Sequence, residues 1–402
     1  MELVIKISIV LGGLMTAAAY FVLLERRIAA WVQDRVGPNR VGIPLTKIRL
    51  FGLGQPLADG LKMICKEEYT PSHVDRRLYV LAPLLILTAA LAVFAVIPFG
   101  SRVDAAGRSI DLAIIPGLDV GIIYIFALSS IAVYGVILGG WASNSKYSFL
   151  GGLRSSAQLI AYELPLGLGL LGIVLASSSL DLGTVMQKQA ENGWWFAFTQ
   201  PLGFLVFVIA AFAEAARLPF DLPECEQELI GGYHTEYAGI KLLLFLVAEF
   251  IHMITASFLI VILFLGGWHF WGLTGSDPVA GNLGIALLRV LVLLGKVFLV
   301  IVFFMMVRWS WPRFRFDQLM GLAWKVMLPL GLLNFVTVSI LLEIKIVLQT
   351  RGAGTSGFDF VSAVISWLIC IGSWLIICQW GPRVADNRPR TALDPQLVDS
   401  QI

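Results

Sequence analysis

The chain has 402 residues, of which 58% are hydrophobic and only 14% charged, about half the charge of a typical soluble domain. Its mean hydropathy is +0.83, and 29 basic against 27 acidic residues leave a net charge of +2. This composition excludes a soluble globular domain, a disordered chain and a nucleic-acid-binding protein.

A hydrocarbon layer about 30 Å thick needs about 20 apolar residues in a helix, because nothing inside it can satisfy exposed backbone groups. Nine stretches meet that requirement: Leu3–Leu24, Leu78–Ile97, Val120–Trp141, Ala157–Ala176, Trp194–Ala216, Ile240–Leu265, Gly284–Val307, Trp324–Ile346 and Phe358–Trp380. The expected fold is an all-α integral membrane protein of about nine transmembrane helices. The first stretch is expected to be retained rather than cleaved as a signal. Its apolar run is long, its start carries Glu2 beside a single Lys6, and Glu25-Arg26-Arg27 follows directly.

Between the first and second spans, Gln55 to Ile64 contains Pro56 in a position suited to a first helical turn. Leu57, Leu61 and Ile64 then recur on one face, with Asp59, Lys62 and Lys66 elsewhere on the wheel. A short amphipathic helix at the membrane surface is expected here. In the loops and at their edges, 21 of the 29 basic residues fall on the side of this helix and five on the other. The positive-inside rule then puts the N-terminus outside and the C-terminal tail in the cytoplasm.

Charged groups deep in a span are costly and call for a partner, an aqueous cavity or a change of protonation. Glu163, Glu214, Glu249, Arg289 and Lys296 occupy such positions. Glu163 lies two residues before the helix-kinking Pro165, and Glu249 shares a helical face with His252. Groups buried in this way can exchange protons near neutral pH. Three glutamates on three consecutive spans favour a proton path. The alternative is static pairing, of Glu214 with Arg217 or of Lys296 with a glutamate of a neighbouring helix.

After the fifth span runs Arg217-Leu218-Pro219-Phe220-Asp221-Leu222-Pro223-Glu224-Cys225-Glu226-Gln227-Glu228. Asp221 with Glu224 fits a capping box. Glu226 and Glu228 are not explained by a cap; they mark either an acidic segment that handles cations or protons, or a solvated acidic face. The four cysteines, Cys65, Cys225, Cys370 and Cys378, lie far apart without a C-x-x-C pair. They offer no disulfide framework, zinc site or iron–sulfur signature. There is no P-loop, G-x-G-x-x-G, G-x-S-x-G or H-E-x-x-H run. His73, His234, His252 and His269 are not spaced to ligate haem between helices. Any redox centre is therefore expected on another polypeptide.

The run from Glu25 to Gly42, with Arg26, Trp31, Gln33, Asp34, Arg35 and Pro38, closely resembles the quinone-chamber membrane subunit of respiratory complex I, the proton-pumping NADH:quinone oxidoreductase. So do Gln55 to Gly60, Trp141 to Ser145, Arg154 with Gln158, Tyr162 and Glu163, Arg217 to Glu224, Glu236-Tyr237, and Trp311 to Gln318. The resemblance spans residues 3 to about 345. It implies a multi-pass subunit that forms the membrane side of a quinone chamber, docks a peripheral redox arm and couples quinone reduction to proton translocation. Arg26, Arg35, Asp59, Phe250 and Arg308 would line or shape the chamber. Glu224, Glu226 and Glu228 would form the loop that responds to quinone reduction. Glu163, Glu214 and Glu249 would relay charge, with Lys296 paired to that path. The substrate would be ubiquinone or menaquinone, with no metal, flavin or iron–sulfur cluster in this chain. The partners would be the peripheral-arm quinone-reducing and iron–sulfur subunits, the adjacent small and antiporter-like membrane subunits, and membrane lipid.

Two departures from the family pattern stand out. Ile43 to Phe51 lengthens the connection before the amphipathic helix, and a ninth span with a polar tail follows the usual eight. The expected organisation is residues 1–350 as the family-like membrane domain and 351–402 as an added helix and cytoplasmic tail. A subunit of a membrane-bound hydrogenase or ferredoxin-dependent complex, or a cation/proton transporter, would reuse the same helices without a quinone.

Overall fold

Helix ends in this protein are set by local chemistry more than by where hydropathy rises and falls. The computed structural model describes residues 2–42, 51–103, 109–221, 229–275, 282–351 and 357–380. Helix α1 (Glu2–Val32) runs on past Leu24, since Glu25, Arg26, Arg27 and the alanines that follow are good helix formers. Helix α2 (Gln55–Cys65) is the expected amphipathic helix, with proline in its first turn and Leu57, Leu61 and Ile64 exposed. Helix α3 (Arg76–Ala92) is capped by Asp75, whose carboxylate accepts from the amide of Arg77 at 3.1 Å. A small antiparallel ribbon, β1 (Ser101–Val103) with β2 (Ser109–Asp111), follows in the connection to α4 (Gly121–Ala142).

Helix α5 (Lys146–Ser177) starts well before the expected Ala157 and has 32 residues. It packs against α4 closely: a Cβ at Gly140 would stand 2.7 Å from the Ser148 carbonyl oxygen, so that crossing requires glycine. Helix α6 (Leu182–Asn192) has a mixed composition that carries no span signal; it is capped by Asp181, which accepts from Thr184 at 2.9 Å.

The fifth expected span, Trp194–Ala216, is corrected. It consists of a single turn, α7 (Phe196–Thr199), and a helix of 14 residues, α8 (Pro201–Glu214). Proline lacks the amide hydrogen and excludes the preceding residue from helical geometry, and Gln200 sits at φ −132°, ψ 64°. A 14-residue helix is about 21 Å long, short of the hydrocarbon thickness.

Helices α9 (Gly239–Phe264), α10 (Trp271–Thr274) and α11 (Leu283–Ser310) follow. Then come α12 (Phe316–Gly321), a π-helical turn over Leu322–Met327, α13 (Leu328–Thr350) and α14 (Phe358–Trp380). Eight of the described helical segments are long and apolar enough to cross a membrane, counting α12 through α13 as one. The nine expected spans are thus eight of full length plus the short α8.

Helix α9 is the axis of the protein: 78% of its apolar window is buried, against 17% in α1 and 11% in α14. Phe94 and Phe258 meet edge to face at 5.7 Å, and Phe212 stacks on Phe304 at 3.8 Å. In a bilayer the surroundings are as apolar as the core, so helix association depends on fit and on polar bonds between helices. Gln158, fully buried on α5, supplies two such bonds by donating to the carbonyls of Ala213 and Phe220 at 2.9 and 2.8 Å. It thereby fixes the end of α8 and the start of the segment that follows.

Candidate functional site

Charged residues at the ends of apolar helices become a site when several helices bring them together. At one end of the bundle, the ends of α1 and α11 and Arg217, just after α8, meet α2 and the first half of α9 around a cavity of about 1320 Å³. Arg26, Arg35, Asp59, Phe250 and Arg308 all line it. Arg26 Nη1 donates to Asp59 Oδ2 at 2.6 Å, and Gln55 donates to the other carboxylate oxygen at 3.0 Å, which holds α2 to α1. The wall changes character along its length. Met15, Ala18 and Val22 of α1 face Leu246 and Val247 of α9, whereas the arginines and Asp59 gather at the end.

Glu25 is the centre of this polar end. It is 8% exposed, accepts a hydrogen bond from Arg308, and lies 3.7 Å from Arg217 Nη1. The Arg217 guanidinium also sits over the Phe250 ring, 4.4 Å from its centroid. In the sequence, Glu25 stands as part of a longer motif without a role, and Arg217 only as the alternative partner of Glu214. The signal that could have found them is charge complementarity between residues ending three apolar spans, 25, 217 and 308. Arg217 turns to Glu25, which answers the alternative that it serves as a static partner for Glu214.

A second cavity, of about 70 Å³, lies beside the first and is lined by Glu163, Glu214, Glu249, His252 and Tyr233. This is several times the roughly 10–15 Å³ that one water needs, and its lining is polar enough to hold water. Ser130 donates to Glu163, and the Tyr233 hydroxyl donates to Glu249 Oε1 at 2.8 Å. Tyr233 is a participant that sequence reasoning missed, since it lies in the loop before α9. Glu249 lines both cavities. The three intramembrane glutamates are therefore brought together, and one of them borders the large chamber.

Lys296 is placed elsewhere, and its expected pairing with a glutamate is corrected. Its ammonium donates to the carbonyls of Leu265, Gly267 and His269 at 2.6, 3.0 and 2.7 Å, and lies 4.4 Å from the Trp195 ring centroid. An ammonium has three N–H groups, so these carbonyls use all of them. The cause is distance along the helices: Lys296 stands about 18 Å of helix from Arg308, at the far end of α9. Arg289 acts similarly, donating to the Thr274 carbonyl at 3.1 and 2.9 Å with its guanidinium 4.0 Å from the Trp268 centroid. Burial, with the charges of Lys296 and Arg289 adding to it, pushes the nearby His269 imidazole below its ordinary range.

Glu224, Glu226 and Glu228, the capping box expected from Glu224, and the segment 43–50 lie outside the described residues. Asp221, just before the acidic run, is buried and lies 3.5 Å from Arg313 Nη2. Among the described residues no group of three or more His, Cys, Asp or Glu side chains could hold a metal ion.

The sequence profile of the NADH dehydrogenase family matches residues 5–339. The chain is 48% identical over 342 residues to NADH-quinone oxidoreductase subunit 8 of Thermus thermophilus, covering 85% of this chain and 87% of that protein. It is 42% identical over 344 residues to NADH-quinone oxidoreductase subunit 8 of Rhodothermus marinus, covering 83% and 94%. To an NADH-quinone oxidoreductase subunit of Syntrophobacter fumaroxidans it is 47% identical over 332 residues, covering 83% and 93%. Helix α14 lies beyond the residues that the family profile matches. With a matching profile over most of its length and relatives this similar, the chain belongs to the NADH dehydrogenase family of membrane subunits of the NADH-quinone oxidoreductases, the respiratory complex I type.

Proposed function

We propose that this chain encloses the membrane side of a quinone chamber in a proton-translocating NADH:quinone oxidoreductase and couples events in that chamber to the buried glutamates. The observation that carries the reading is the pair of adjoining cavities with Glu249 in the wall of both. The large cavity is apolar along α1 and α9 and polar where Arg26, Arg35, Asp59 and Arg308 gather. That gradient suits a quinone, whose long tail is apolar and whose headgroup carbonyls accept hydrogen bonds from guanidinium groups. Electrons would arrive from a redox centre on a peripheral subunit docked at the same end.

In this reading the headgroup alters the field felt by Arg217 and Arg308, which share Glu25, and the change passes to Glu249 through Arg217 and Phe250. Glu249, Glu214 and Glu163 then exchange protons through water in the smaller cavity, toward adjacent antiporter-like subunits. Glu224, Glu226 and Glu228 would respond at the chamber mouth. The N-terminus would face outside and the C-terminal tail the cytoplasm. Lys296 would keep the far loop in place rather than carry protons.

The test is proton pumping by the purified assembly in sealed vesicles with Glu163→Gln and Glu249→Gln variants. Both should lower pumping during quinone reduction; wild-type pumping and turnover in both would remove the relay. Inhibition by quinone-site ligands, weakened by Arg35→Ala, would separate this reading from a hydrogenase subunit or a stand-alone transporter.

A further inference from the structure

A third cavity lies between α13, α14 and the α7 turn, far from the chamber in sequence and built largely by the helix that the family profile does not reach. Helix α14 is held there by the Trp367 indole, which donates to the Phe198 carbonyl at 3.0 Å, next to the break before α8. Lys345 Nζ and Asp359 Oδ1 close one end as an ion pair of 2.6 Å, with side chains 29% and 61% exposed. From that pair inward the wall is mainly apolar, with Val338 and Leu342 on α13, Val364 and Trp367 on α14, and Phe198, interrupted by the side chains of Thr199, Gln200, Ser362 and Ser366. Measured along the helices, the slot runs about 10 Å from Lys345 to Val338 and about 12 Å from Asp359 to Trp367.

We propose that this slot binds one acyl chain of a zwitterionic phospholipid of the phosphatidylethanolamine type. The geometry supplies three reasons. The slot has a charged mouth and a mainly apolar interior aligned with the membrane-crossing helices, the polarity profile of a lipid. Its volume of about 290 Å³ sits at the lower edge of ordinary ligand sites, room for part of one acyl chain and not for a whole lipid. The mouth carries Lys345 and Asp359 already paired at 2.6 Å, a net-neutral ion pair that aligns with the joined phosphate and ammonium of a zwitterionic headgroup; an anionic lipid brings a net charge that the pair does not balance, and an uncharged quinone headgroup gains nothing from it. Helix α14 already covers the backbone break between α7 and α8, where the Trp367 indole satisfies the Phe198 carbonyl, and a bound chain would extend that cover.

The test uses the purified assembly and phosphatidylethanolamine carrying a photoreactive group on one acyl chain, with crosslinks mapped by mass spectrometry. Labelling should concentrate on residues 338–342 and 363–367 and fall about tenfold in Ala363→Trp, which fills the slot. Phosphatidylglycerol with the same chain should label those residues weakly. A paired Lys345→Met and Asp359→Asn variant, which leaves the slot open, should erase that headgroup preference; it decides the matter if Ala363→Trp does not assemble. Even labelling over all lipid-facing helices, unchanged labelling in Ala363→Trp, a preference that survives the paired variant, or equal capture of a quinone-tail probe would overturn the proposal.

Discussion

The two ends of the α9 and α11 pair both bury cations, and they do it by different means. At the chamber end, Arg217 and Arg308 converge on Glu25, and the neighbouring Glu249 borders two cavities. At the far end, Lys296 and Arg289 are held by backbone carbonyls and by the rings of Trp195 and Trp268. A carboxylate can take a proton and so change the charge of its surroundings; a backbone carbonyl cannot. In the proposed coupling the chamber end would therefore store and pass on a change of charge, while the far end would fix a loop. Residues that composition treats alike, as charges in apolar spans, thus separate by the chemistry of their partners.

Four substitutions test this contrast, in falling order of effect. Glu25→Ala strips the carboxylate shared by two buried or half-buried guanidiniums, a change that costs about 3–5 kcal/mol when one partner of a buried pair is removed. The assembly should unfold at lower temperature and lose quinone reductase activity, and adding Arg308→Met should restore part of the stability. A single variant as stable as wild type would show that Glu25 is not the centre of the chamber end. Lys296→Met leaves three carbonyls without their donor, at about 1–3 kcal/mol for an unsatisfied buried group. Thermal stability should fall while protons pumped per electron hold; the reverse pattern would merge the two ends into one relay.

Tyr233→Phe removes one hydrogen bond to Glu249, worth about 0.5–1.5 kcal/mol. Pumping measured in vesicles should slow, and by less than in Glu249→Gln. Asp59→Asn weakens an ion pair that is 48% and 32% exposed at its two side chains, and exposed pairs contribute only about 0.2–1 kcal/mol. Melting should barely move, while KM for quinone should rise because α2 is less firmly held at the chamber wall. An unchanged KM would take the Arg26 and Asp59 contact out of quinone handling.

Much of the fold is written in local pattern. The apolar runs and the Leu57, Leu61 and Ile64 face of α2 can be read from residues a few positions apart, as can the shared face of Glu249 and His252. What could not be read depends on residues meeting across the chain. Glu25, Arg217 and Arg308 are far apart in sequence, and Tyr233 reaches Glu249 from a loop with no periodicity. Charge alone gives Lys296 a carboxylate partner, whereas the loop after α9 folds back to offer its carbonyls. The shortening of α8 is legible in principle from Pro201, but hydropathy passes through proline without registering the lost amide.

The most direct measurement of the central claim compares Glu249→Gln with Lys296→Met, each in the intact assembly in the same sealed vesicles, for protons moved per electron passed to quinone. The predicted result is a fall in Glu249→Gln, at the junction of the two cavities, and an unchanged ratio in Lys296→Met. A wild-type ratio in Glu249→Gln, or a lowered one in a stably assembled Lys296→Met, would contradict it.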